Sequence, residues 1–75
     1  MNRYQNLGGD SGVIAYEIGD DFIEVQFKDG WIYLYTYMST GRGDVETMKR
    51  LAAAGQGLNS FISTTVKKRF ASKRR

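Results

Sequence analysis

The 75-residue chain has no cysteine, no proline and no histidine, and no acidic residue after Glu46. Without cysteine there is no disulfide, and without cysteine or histidine a structural zinc site and a Ser/Cys-His nucleophile are both excluded. The remaining candidate acids and bases are carboxylates and tyrosines, so the chain reads as non-enzymatic, with no cofactor and no metal. Asp20-Asp21 is read as a turn rather than a cation site. Its apolar stretches fall well short of a membrane span, and the polar start, Met1-Asn2-Arg3-Tyr4-Gln5-Asn6, has no signal-peptide core, so a cytoplasmic protein with no membrane role is expected.

What is present is an uneven charge distribution. Residues 1–46 hold all eight carboxylates and carry a net −5, whereas residues 47–75 carry +8. Six of the eleven Lys/Arg fall in the last nine positions: Lys67, Lys68, Arg69, Lys73, Arg74 and Arg75. At 41% hydrophobic and 13% aromatic the composition suits one folded domain. A domain of this size hides only about 60% of the surface its unfolded chain exposes. The core is therefore thin, and self-association to a homodimer would add to it.

Periodicity predicts an α+β fold, a three-stranded antiparallel meander followed by two helices packed on one face (β-β-β-α-α). Residues 1–12 are turn-rich and read as a flexible leader, with Tyr4 or Leu7 tucked against the body. Alternation from Val13 to Ile18 and from Ile23 to Lys28 marks two strands around Gly19-Asp20-Asp21, and Trp31 to Tyr37 is a third run of β-formers. The Lys28-Asp29-Gly30 turn allows two registers. A two-residue turn sets Val25 opposite Leu34 and exposes the rings of Trp31, Tyr33, Tyr35 and Tyr37. A three-residue loop with left-handed Gly30 pairs Val25 with Tyr33 and Ile23 with Tyr35, burying the rings. The second is favoured, because four exposed rings on so small a body invite aggregation.

Residues 39–43 read as a flexible, glycine-rich loop, and the Arg42-Gly43-Asp44 tripeptide that overlaps its end as coincidence. Asp44 is the expected cap of a helix presenting Val45, Met48, Leu51 and Ala52. Gly55 ends that helix, and Leu58, Phe61, Ile62 and Thr65 or Val66 mark a second. Residues 70–75 are expected to fray.

The segment Ile23-Glu24-Val25-Gln26-Phe27-Lys28-Asp29-Gly30-Trp31-Ile32-Tyr33-Leu34-Tyr35 resembles the centre of the KTSC family, a short domain found alone in bacteria and phages and at the C-terminus of some lysyl-tRNA synthetases. Tyr33 and Tyr35 match its Tyr-x-Tyr, and Gly55, Asn59 and Ile62 match its Gly-x-x-x-Asn-x-x-Ile. The likeness spans residues 11–66, giving a division into leader (1–12), KTSC-like domain (13–66) and basic C-terminal tail (67–75). The family's Val-Pro after the tyrosines is absent here, and Val66 stands where an aromatic is usual. The resemblance implies inward-facing, structural tyrosines and RNA binding without catalysis.

The basic run is the main functional feature: Lys67, Lys68, Arg69, Lys73, Arg74 and Arg75 as phosphate contacts, Phe70 as a stacking ring, and Arg50 and Asn59 as body contacts. RNA is the expected partner ahead of DNA. Six engaged cations would give a log–log salt slope near about −4 on single-stranded RNA. The alternative is a protein-interaction module, of the phage inhibitor or adaptor type, docking through Ile32/Leu34, the tail, or the acidic edge of Glu17, Asp20, Asp21 and Glu24. A small-molecule pocket lined by Tyr16, Tyr33, Tyr35 and Asn59 is a third reading.

Overall fold

A computed structural model describes residues 1–9 and 11–75; Asp10, within the predicted leader, lies outside them. The fold is α+β, and its central hairpins are those the alternation predicts. β2 (Val13–Ile18), β3 (Phe22–Phe27) and β4 (Ile32–Thr36) form an antiparallel meander. Val25 pairs with Tyr33 and Ile23 with Tyr35, which is the three-residue-loop register. Its turn is closed by bonds from the Phe27 N–H to the Trp31 carbonyl (2.9 Å) and from the Gly30 N–H to the Phe27 carbonyl (2.9 Å). Gly30 sits at φ +93°, a conformation that side-chain-bearing residues rarely adopt.

Two departures follow from backbone edges that side-chain pattern does not report. The sheet has five strands rather than three, in the order β1-β2-β3-β4-β5. β1 (Asn2–Arg3) adds to β2, and β5 (Ser72–Arg74) adds to β4. A three-stranded meander has two rows of unpaired N–H and C=O groups, and nearby chain can satisfy them whatever its side chains. Residues 70–75, expected to fray, therefore include a strand, and Tyr4 is 3% exposed while Leu7 is open to solvent. The second departure is a bulge in β2. Val13 pairs with Phe27 but Ala15 with Gln26, so Val13 joins Tyr16 on the inner face and Ile14 is left exposed.

The third predicted strand ends one residue early. Thr36 caps a short helix, α1 (Tyr37–Thr40), through a reciprocal capping box with Ser39. The stretch expected to be a loop at 39–43 is thus mostly helical: only Gly41, at φ +100°, separates α1 from α2 (Arg42–Ala54). Gly41, not Asp44, is the cap of α2, and Asp44 lies in its first turn. α2 buries Val45, Met48 and Ala52 against the sheet's inner face, and Gly55 closes it in the left-handed conformation. α3 (Leu58–Phe61) runs directly into a π-helical segment, Ile62–Val66, and the two bury Leu58, Ile62 and Val66. With Ile23, Val25 and Tyr35 these residues make one core, each fully buried aliphatic side chain contributing about 1.5–3 kcal/mol. Ile32 and Leu34, on the outer face, stay half-exposed. Among the described residues no helix is long and apolar enough to cross a membrane.

Candidate nucleic-acid interface

The alternation of β5 sorts the C-terminal cations. Lys73 pairs with Tyr33, which pairs with Val25, so Lys73 belongs to the inner face; Arg74 pairs with Ile32 and belongs to the outer one. Lys73 Nζ accordingly lies 5.0 Å from the Trp31 ring centroid and 5.8 Å from that of Tyr33. The Arg75 guanidinium is 5.0 Å from the same Trp31 ring. Arg74 instead approaches Glu24 at 3.4 Å.

Upstream, the chain leaves the π-helical segment through Lys67, at φ +48° and ψ −116°. Such a backbone costs on the order of 1–3 kcal/mol and persists only where neighbours enforce it. Arg69 supplies that restraint. Its guanidinium donates to the Thr40 carbonyl (2.8 Å) and to the Asp44 carboxylate (2.5 Å), while the buried Thr40 hydroxyl donates to the Arg69 carbonyl (2.7 Å). The turn so fixed swings Phe70 back onto the sheet, edge-on to Tyr33 at 4.8 Å and to Tyr35 at 6.4 Å.

Between this turn and the end of β4 lies an open cleft of about 490 Å³. Its walls are Phe27, Tyr33, Tyr35, Ile62 and Phe70, and its charged lining is Lys67, Lys68, Lys73 and Asp29. The Asp29 carboxylate accepts the Trp31 N–H at 3.0 Å. Tyr33 and Tyr35 lie nearly parallel, 18° apart with centroids 6.5 Å apart. Burial, reinforced by Tyr33, pushes the Tyr35 hydroxyl up to about 12.

Four of the six predicted phosphate contacts, Lys67, Lys68, Lys73 and Arg75, have no carboxylate within 4.0 Å among the described residues; Lys73 and Arg75 lie over the Trp31 ring, Arg75 also reaching the Asp29 carbonyl at 3.5 Å, and Lys67 and Lys68 line the ring-walled cleft. Arg69 and Arg74 are engaged internally. Phe70, expected among the cations as a free stacking ring, is part of the wall. Arg50 and Asn59 are not in this cleft: Arg50 bonds Thr47 at 3.1 Å, and Asn59 lines a smaller hollow with Tyr4, Asn6 and Ser11. The family-type residues are split as well. Tyr33, Tyr35 and Ile62 line the cleft, whereas Gly55 is a helix cap. Sequence reasoning missed the part of Trp31 and Phe27, although the shared parity of Trp31, Tyr33 and Tyr35 was the available signal.

A second polar cluster lies on α1 and α2. Glu46 accepts from Lys49 (2.7 Å) and from the Tyr37 hydroxyl (2.5 Å) through the same oxygen, and Arg42 and Lys49 both lie over the Tyr37 ring. The bond from Lys49, then that from Tyr37, holds Glu46 below the usual carboxylate range. The shared carboxylate raises both Tyr37 and Lys49. Lys49 also donates to the Asp20 carbonyl (2.9 Å), so the cluster clasps α1 to α2 and ties them to the turn between β2 and β3.

No protein-family model matches the chain, and comparisons with curated proteins and with solved structures find no match.

Proposed function

We propose that this protein is a small, non-enzymatic cytoplasmic domain that binds single-stranded RNA, or a ribonucleoprotein, through the cationic aromatic surface at its C-terminal end. The observation that carries the reading is the grouping of Lys67, Lys68, Lys73 and Arg75 beside Trp31, Tyr33 and Phe70. Cations that follow the backbone and rings that stack bases are the combination single-strand binders use. The preference for RNA over DNA rests on the KTSC-like residues, and kinship with that family is part of the proposal. Because Arg69 and Arg74 are engaged elsewhere, the expected salt slope is about −3, four contacts rather than six. Titration of a mixed-sequence RNA, followed by fluorescence anisotropy across about 50–200 mM salt, tests it. Undetectable affinity at the low end, or affinity unchanged when the four residues are replaced by glutamine, refutes it.

One observation favours a second reading, a protein-interaction module or a homodimer. Ile32 and Leu34 on the outer face are only partly buried, and Met38, at the start of α1, is 99% exposed and does not cover them. Pull-down from nuclease-treated lysate separates the readings, since a partner that survives nuclease is held by protein contacts.

A further inference from the structure

We propose that the cleft of Phe27, Tyr33, Tyr35 and Phe70 receives one unstacked nucleobase of the bound strand, with the attached phosphate held by Lys67, Lys68 and Lys73. The inference rests on the RNA-binding reading and names the ligand unit that the surface takes. Two independent features point to this occupant. The first is composition: a volume of about 490 Å³ falls in the range of small-ligand pockets, and an apolar, ring-lined wall shares the cleft with three ammonium groups against one carboxylate, that of Asp29, which accepts the Trp31 N–H. An inorganic anion would use the lysines and leave the rings idle, and a neutral apolar ligand would do the reverse. A nucleotide carries both a flat π-surface and a phosphate.

The second feature is the Tyr35 hydroxyl. Tyr35 is 1% exposed and lines the cleft, and among the described residues its hydroxyl makes no hydrogen bond. Among the described residues no fully buried side-chain oxygen or nitrogen lacks a partner, so this unbonded hydroxyl opens onto the cleft. It is a donor on the cleft wall, and a base carbonyl or ring nitrogen entering the cleft would accept from it in place of water. A single hydroxyl gives little discrimination among bases. Paired bases stacked inside a duplex cannot enter the cleft.

The test compares an oligouridylate of about ten nucleotides, a typical single-strand site length, with an abasic ribose-phosphate of the same length. Free uridine monophosphate is added in a third arm, and all three are followed through the ring resonances of Tyr33, Tyr35 and Phe70. Stacking of one base corresponds to a loss of roughly 5- to 150-fold in the abasic strand. Tyr35→Phe, which keeps the ring, should weaken oligouridylate by roughly 2- to 12-fold. Equal binding of the two strands overturns the base pocket while leaving RNA binding intact. If neither strand binds, the RNA reading fails, and uridine monophosphate decides the pocket: shifts confined to the cleft rings sustain it, and their absence overturns it.

Discussion

Replacing Arg69 and replacing Lys68 should have opposite consequences, although the two are adjacent cations in one basic run. Arg69 donates to the carbonyls of Thr40 and Thr65 and to the carboxylate of Asp44, and holds the turn that follows the strained Lys67. Fully buried, charged bonds of this kind would contribute about 1.5–3 kcal/mol each. The Arg69 side chain is 46% exposed, and exposed pairs contribute only about 0–1 kcal/mol, so Arg69→Ala should cost about 1–2 kcal/mol in total. For a domain of this size, with about 4–11 kcal/mol of overall stability, that lowers Tm by roughly 5–15 °C. Lys68 is exposed with no partner among the described residues, so Lys68→Ala should alter stability by no more than about 0.5 kcal/mol. In RNA titrations the order reverses: Lys68→Ala should flatten the salt slope by about 0.7, and Arg69→Ala should leave it unchanged. Calorimetry and anisotropy on the two variants provide the assay. Should Arg69→Ala flatten the slope while Tm holds, Arg69 is a phosphate contact and the internal staple is wrong.

Other perturbations address the frame around that site. Gly55→Ala should cost about 2–4 kcal/mol by chemical denaturation, because φ is +76° and a new Cβ would lie 2.6 Å from the Gln5 Cβ, which cannot rotate away. Gly57→Ala, at φ +85° but facing only the flexible tip of Leu51 at 3.3 Å, should cost about 1–2 kcal/mol; equal costs would rule out the Gln5 contact. Tyr35 should ionise at about pH 12, and because the unfolded chain loses that proton from about pH 10, stability should fall as pH rises between those values. Tyr35→Phe should reduce that alkaline loss, and an unchanged profile would show that the hydroxyl is not sheltered. Glu46 works on the acid side: held below its ordinary pKa, it stabilises the fold above that value and ceases to as pH falls through the lowered one. Glu46→Gln should therefore flatten the acid limb of the stability profile, and an unaltered limb would mean that the clasp with Lys49 and Tyr37 does not form.

Much of the fold was legible where side chains alternate against a core. Ile23, Val25, Tyr33 and Tyr35 declare both the meander and its register, because the competing register would expose four rings at once. Val45, Met48 and Ala52 declare α2 in the same way. The outer strands were not legible, since β5 is held by backbone pairing to β4 and its residues, Ser72, Lys73 and Arg74, are poor strand formers. The α1 turn was hidden for a similar reason. Its cap is made by Thr36 and Ser39 three positions apart, a weaker signal than the usual Glu or Gln at the second place. At the site, composition revealed the cations but not their sorting. Only pairing with β4 sends Lys73 toward the rings and Arg74 away, and only the staple to Thr40 and Asp44 removes Arg69 from the binding set.

Backbone and aromatic chemical-shift mapping of the intact, isotopically labelled protein with a short single-stranded RNA is the most direct test that the sorted cations and the rings beside them form one binding surface. The account predicts salt-sensitive shifts at Lys67, Lys68, Phe70 and Lys73 together with the rings of Trp31 and Tyr33. Shifts confined to the outer strip of Ile32 and Leu34 or to α2, or none at low salt, would contradict it.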